Sequence, residues 1–222
     1  MSDEAFCVPV LREKENVWRI FDVETGRGVY GSVRAACKRL KGSEDCSYVF
    51  KIIPLSKRFT ERAFKREVRA QQLLAAKGLA MEVIDYWICP DKSRGVIIMK
   101  VLDMTAEKFL TESDSTVEDQ IRLIGATMEL LNTLHKSGYY HGDAHLGNIM
   151  LKKVMARSGP NTFHSSLGTF RVYLVDMGKT GSLKRPGKIM GRTLTAQNRI
   201  DTDLKLVMSE FKTYAREAVK QL

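Results

Sequence analysis

The pattern of apolar and polar positions changes character near residue 100. Before it, short strand-like runs dominate. Val17-Trp18-Arg19-Ile20-Phe21 alternates, and Tyr48-Val49-Phe50-Lys51-Ile52-Ile53-Pro54 is β-branched and aromatic with one charge inside it. Val83 to Ile88 and Gly95 to Met99 read as a hairpin around the loop Pro90-Asp91-Lys92-Ser93-Arg94. Ser32 to Leu40 fits strand or helix by period alone; a strand is favoured because the next element is itself a strand. One helix interrupts the series: Thr60 caps Glu61 to Lys77, which sets Phe64, Val68 and Leu74 or Ala75 on one face and stops at Gly78.

Beyond residue 100 the helical period takes over. Ser115-Thr116-Val117-Glu118 carries a capping-box signature ahead of a long amphipathic helix through Ile121, Ile124, Met128, Leu131 and Leu134, ended by Gly138. Ile149-Met150-Leu151 and Phe170 to Val175 are apolar and strand-like, and the Ser/Gly-rich stretch Ala156 to Thr162 between them reads as a mobile surface hairpin tip. Lys179 to Asn198 is basic and weakly periodic, and a last helix is expected to begin at Asp203. The fold class is therefore α+β. The chain reads as one domain over 1–222, with a β-rich part to about 99, a connection at about 100–105 and a reduced, mainly helical part from about 106.

Composition bounds the setting. With 222 residues and a hydrophobic fraction of 44%, the chain can bury a substantial core. No apolar run approaches the roughly 20 residues of a membrane span, so no span is expected. Cys7, Cys37, Cys46 and Cys89 show no C-x-x-C spacing, and the chain opens on the polar Met1-Ser2-Asp3-Glu4. Reduced thiols and a soluble, intracellular protein of cytoplasm or nucleus are the expectation. A formal charge of +10 makes an anionic partner plausible: nucleotide, acidic protein, nucleic-acid-associated partner or membrane surface. The basic residues gather at Lys57 to Arg69 and Lys179 to Arg199, while aromatics are only 8% and do not alternate with them, which argues against a stacking platform for single strands.

Candidate chemistry centres on His141-Gly142-Asp143-Ala144-His145-Leu146-Gly147-Asn148. An Asp followed five positions later by an Asn matches the D-x-x-x-x-N loop of phosphoryl transfer, where the carboxylate receives the acceptor proton and the amide oxygen holds Mg²⁺. Tyr173 to Gly178 then offers an apolar strand ending in Asp176-Met177-Gly178. Taken singly, Asp143 or Asn148 is an ordinary turn residue and His141 or His145 a structural histidine. A metal-hydrolase reading of His-x-Asp-x-His needs more ligands than His135 and His164 outside the motif supply. Upstream, Gly26-Arg27-Gly28-Val29-Tyr30-Gly31-Ser32-Val33 is a full G-x-G-x-x-G-x-V, whose bland alternative is a tight hairpin. Lys51 is either an outward residue of a half-buried strand or a phosphate-gripping lysine. Glu67, beside Val68 on the apolar side of its helix, is costly unless paired, and a Lys51–Glu67 ion pair satisfies both; Glu61 in the first turn is more simply a surface charge. Met99 is core first, with a second reading as pocket lining next to extended backbone at Val101 and Leu102 that could meet an adenine edge.

In this order the motifs resemble the protein-kinase-like superfamily over about the whole chain. The His-Gly-Asp-x-His-x-Gly-Asn wording is similar to the aminoglycoside and choline phosphotransferases; the compact size and the terminal helix resemble the RIO and KEOPS-type small kinases and the divergent kinases of large DNA viruses. The resemblance implies two lobes with ATP in the cleft, Gly26, Gly28, Gly31 and Val33 over the nucleotide and Lys51 on the phosphates. It also implies Asn148 and Asp176 on Mg²⁺ or Mn²⁺ and Asp143 as base, with localisation in a host cell or virion if the origin is viral. Gly142 stands where many kinases carry an Arg that pairs with an activation-loop phosphate, so activity without such phosphorylation is expected. No Ala-Pro-Glu follows Asp176, and Met177 replaces the usual Phe. Three functions follow: a Ser/Thr protein kinase of compact, atypical kind, a small-molecule kinase, or a nucleotide-binding scaffold without catalysis, against which the retained Lys51, Asp143, Asn148 and Asp176 argue.

Overall fold

The computed structural model describes residues 18–28, 31–57, 59–155, 159–185, 187–189 and 192–222. The tip Ala156-Arg157-Ser158, the Val29-Tyr30 pair within the glycine run and Cys7 lie outside the described residues. The fold is a mixture of α-helices and antiparallel sheets. Two compact units result: one ends at Gln72 and also takes in Glu82–Val101, and the other comprises Leu73–Met81 and Leu102–Leu222.

The first unit is a five-stranded antiparallel sheet ordered β1-β2-β3-β5-β4 (β1 Trp18–Gly28, β2 Gly31–Leu40, β3 Ser43–Pro54, β4 Val83–Ile88, β5 Arg94–Lys100) with helix α1, Glu61–Ala75. Alternation along β3 decides its two faces. Tyr48, Phe50 and Ile52 join Trp18, Trp87, Val96 and Ile98 in one aromatic-rich cluster. Ile53 belongs to the other face, where it meets Ile97 and the Phe64 and Val68 of α1. Lys51 shares that parity, which points it toward the helix. Gly95 carries no Cβ because one would lie 2.4 Å from the Phe64 ring. Ser32 to Leu40 is a strand, and Thr60 Oγ1 accepts from Ala63 N at 3.3 Å, as an N-cap should.

One expectation fails in this unit. Cys37 and Cys46 form a disulfide, Cys89 is also disulfide-bonded, and no cysteine among the described residues is free. The thiols are therefore not reduced, and the intracellular expectation loses that support. The physical reason is a register shift of the β2–β3 ladder between Ala36 and Lys38, which lets two cysteines nine positions apart face each other across a hairpin.

The second unit contains a sheet ordered β6-β8-β10-β9 (β6 Met104–Thr105, β8 Ile149–Lys153, β9 Thr162–Ser165, β10 Gly168–Leu174). A separate short ladder joins β7, Tyr139–Tyr140, to β11, Gly181–Ser182. Its helices are α2 (Ala106–Thr111), α3 (Val117–Lys136), α4 (Ala196–Tyr214) and α5 (Arg216–Val219). Phe163 and Phe170 stack, and Phe109 meets both edge-on, beneath α3's apolar side, which is wider than its sequence period suggests and buries Leu123, Ile124, Leu130, Leu131 and Leu134. No helix among the described residues is long and apolar enough to cross a membrane.

Both helix starts in this unit differ from the sequence expectation. The cap of α3 is Thr116 rather than Ser115, with Asp119 rather than Glu118 closing the box, and α4 begins at Ala196 behind a Thr195–Asn198 box. Asp119 also accepts from Ser166 N at 2.9 Å and from Ser166 Oγ at 2.6 Å, partners that Glu118 lacks; Glu118 stays at the surface with Arg122. Burial opposes the charge on Asp119, but the bonds from Ser166 and Thr116 outweigh it and hold its pKa at about 2, against 3.8 ordinarily. A depressed carboxylate contributes stability above its ordinary pKa and loses it as pH falls through the folded value. Urea midpoints should therefore drop between about pH 4 and pH 2 by the equivalent of about 2 kcal/mol, and Asp119→Asn should remove that part of the pH dependence.

Candidate active site

Within the first unit, the predicted nucleotide residues fall on adjacent strands. Gly26 pairs with Val33 and Gly28 with Gly31 across the β1–β2 ladder, and Val33 lies opposite Lys51 across β2–β3. Gly31 is required by close approach, since a Cβ there would sit 2.1 Å from the Ile52 carbonyl oxygen. Lys51 Nζ donates to Glu67 Oε1 at 2.7 Å, with side chains only 12% and 3% exposed. Glu61, by contrast, pairs with Lys65 at the surface.

Removing one partner of a pair this enclosed leaves the other charge desolvated, which typically costs about 3–5 kcal/mol. Glu67→Ala is therefore expected to lower the melting temperature and weaken nucleotide-induced thermal shifts, while Glu61→Ala is nearly silent; equal effects would place the functional helix face wrongly. Met99 packs among Phe64, Val68 and Ile97, as core, and its sulfur receives Gln71 Nε2 at 3.5 Å. The Val101 N–H is already given to the Ser47 carbonyl at 2.9 Å, so an adenine edge would have to use other backbone groups of that segment. Leu102 is buried in the second unit.

The second unit builds the loop from His141 to Asn148. Asp203, fully buried on α4, accepts from His141 N and Gly142 N, each at 2.8 Å, and lies 3.1 Å from His135 Nε2. Two turns further along α4, Glu210 accepts from Leu146 N. One helix thus holds both ends of the loop. Inside it, His145 N donates to the Asp143 carbonyl, Asn148 N to the His145 carbonyl, and Asn148 Nδ2 to the Asp143 carbonyl at 3.0 Å. None of these bonds uses the Asp143 carboxylate, whose Oδ2 instead meets Lys179 Nζ at 2.9 Å.

Asp176 is tied to the same loop through backbone. Val175 N donates to the Asn148 carbonyl at 3.0 Å, and His141 Nε2–H donates to the Val175 carbonyl at 2.9 Å. Burial pushes the His141 pKa below its ordinary value, outweighing the Val175 bond and nearby carboxylates, so the ring is neutral and works as a fixed strut. Asp176 adopts φ 60°, ψ 70°, a left-handed conformation that Asp tolerates better than most residues, and Met177 behind it is buried. As a donor set, Asn148 and Asp176 suit a hard cation: the Asn148 amide nitrogen is spent on the loop, leaving its oxygen, and Asp176 adds a carboxylate. These oxygens fit Mg²⁺ or Mn²⁺ far better than a soft metal.

Sequence reasoning missed Asp203, Glu210 and Lys179 as parts of this site. A signal for the first two exists: carboxylates spaced by seven on a helix face that also carries the buried Val207 and Phe211. Gly142, expected only as the absence of an arginine, has φ 79°, and a Cβ there would meet the Lys179 carbonyl oxygen at 2.8 Å. No protein-family model matches this chain, and no curated protein matches it.

Proposed function

We propose that the protein is an ATP- and Mg²⁺-dependent phosphotransferase of the two-lobed protein-kinase-like kind, and that its acceptor is a serine or threonine hydroxyl of a protein. The observation that carries this reading is the pair of hydrogen bonds at Val175, its N–H to the Asn148 carbonyl and its carbonyl from the His141 ring, because they tie the candidate base and both candidate metal ligands to one braced scaffold. Lys51, oriented by Glu67, provides a fixed cation for nucleotide phosphates. Asn148 and Asp176 would hold the Mg²⁺, which when bound neutralises phosphate charge. Asp143 orients the acceptor hydroxyl and takes its proton as the new P–O bond forms, and a loop already ordered by Asp203 and Glu210 needs little reorganisation to do so.

The test is intact-mass analysis of the protein with Mg·ATP and casein or myelin basic protein, with Asp143→Ala in parallel. Phosphate added only with native Asp143 supports a protein kinase. ATP consumption without protein labelling points to a small-molecule acceptor. ATP binding with neither outcome leaves a nucleotide-binding scaffold and removes the enzymatic reading.

A further inference from the structure

We propose that Lys179 is a further catalytic residue, supplying from the segment after Asp176 the cation that accompanies the transferred phosphoryl group to the acceptor. The inference rests on the phosphotransferase reading above. Its Nζ stands 2.9 Å from Oδ2 of Asp143, the carboxylate that would receive the acceptor proton. The two side chains are 46% and 28% exposed, so the pair is open to an incoming substrate rather than closed inside the core.

What separates this contact from an ordinary surface ion pair is how firmly its backbone is seated. Lys179 ends the short 3-10 turn Met177–Lys179 that Asp176 begins, and Thr180 N closes that turn on the Met177 carbonyl at 3.1 Å. Two residues on, Gly181 pairs with Tyr140 at the entrance to the loop. Gly142 leaves the space through which the Lys179 carbonyl approaches, and a side chain at 142 would push residue 179 away from Asp143. The segment is thus pinned before, at and after Lys179, and each of these fixings brings it toward the loop.

This position gives the lysine two successive partners. Before transfer, the ammonium neutralises Asp143 and fixes its carboxylate. During transfer the bond from phosphorus to the leaving oxygen of ADP breaks, the bond to the acceptor oxygen forms, and the acceptor proton passes to Asp143. The Asp143 charge is then lost, and Lys179, still protonated, gives its hydrogen bond to an oxygen of the moving phosphoryl group. A donor that strengthens only as charge develops acts on turnover rather than on ground-state binding.

The experiment compares the full chain with Lys179→Ala and Lys179→Arg. Phosphate transfer by the unaltered protein is the first reading; its absence would overturn the phosphotransferase assignment and this inference together. Given transfer, Lys179→Ala is expected to lower kcat by about 10²-fold or more with KM for ATP nearly unchanged, and Lys179→Arg to recover much of the loss. In an Asp143→Asn background, Lys179→Ala should cost little further, because the two act as one unit. A binding readout checks the same point without turnover. The Mg·ADP thermal shift should be equal in both proteins, and the added shift with aluminium fluoride, a mimic of the phosphoryl in flight, should be lost in Lys179→Ala. An unchanged kcat, a defect confined to KM for ATP, or a retained fluoride increment would each overturn the role of Lys179 while leaving the enzyme assignment standing. Should the alanine variant misfold, the arginine variant decides: a folded protein as inactive as Asp143→Ala overturns the proposal.

Discussion

Asp143→Ala is expected to bind Mg·ATP with nearly the native thermal shift and to turn over about 10³-fold more slowly. Separation of binding from chemistry follows from how the loop is built. The Asp143 main-chain carbonyl, not its carboxylate, accepts the Asn148 and His145 bonds, so truncating the side chain leaves the loop's internal bonding in place. Asp203 and Glu210 continue to hold His141, Gly142 and Leu146. Lost are the carboxylate proposed to orient the acceptor hydroxyl and the partner of Lys179. Steady-state kinetics alongside nucleotide thermal shifts would measure both halves. A variant that keeps full turnover would remove Asp143 from the mechanism, and one that no longer binds nucleotide would make it a structural residue.

Asp203→Ala should be the most damaging substitution in the second unit, lowering stability by about 3 kcal/mol or more and abolishing turnover. Its carboxylate, itself fully buried, serves the N–H groups of the buried His141 and the half-buried Gly142 and the half of the buried His135 that faces it. Each orphaned buried donor costs about 1–3 kcal/mol, the His141 N–H above all, since that residue is fully buried. Asn is not a remedy: with one oxygen it can answer only one side, and its NH₂ would oppose a donor on the other. Urea denaturation of Asp203→Ala and Asp203→Asn, read against Glu210→Gln, which touches only Leu146 N, should give a clear order with both Asp203 variants far below. Near-native stability in Asp203→Asn would mean that the loop does not depend on this anchor.

What was legible in the sequence was whatever local pattern decides. The alternation of β3 and the stripe of α1 together predict the meeting of Lys51 with Glu67, because each element's period fixes which way its charged residue points. Capping was legible in kind but not in position: with Ser115 and Thr116 adjacent, the choice falls to Asp119, whose partner Ser166 lies 47 residues away. The disulfide was hidden for a similar reason, since a register shift rather than a motif aligns Cys37 with Cys46. Lys179 looked like the first residue of a basic stretch, and only the space left by Gly142 distinguishes it.

The bracing of the loop by α4 also carries a consequence for biosynthesis. His141 and Leu146 depend on side chains encoded 62 and 64 positions later. On the ribosome the sheets and α3 can form while the loop still lacks its floor, so a fully braced loop cannot precede the emergence of Glu210. A nascent chain stalled before α4 would expose the unpaired amides of His141, Gly142 and Leu146, a local and recognisable signature of unfinished synthesis.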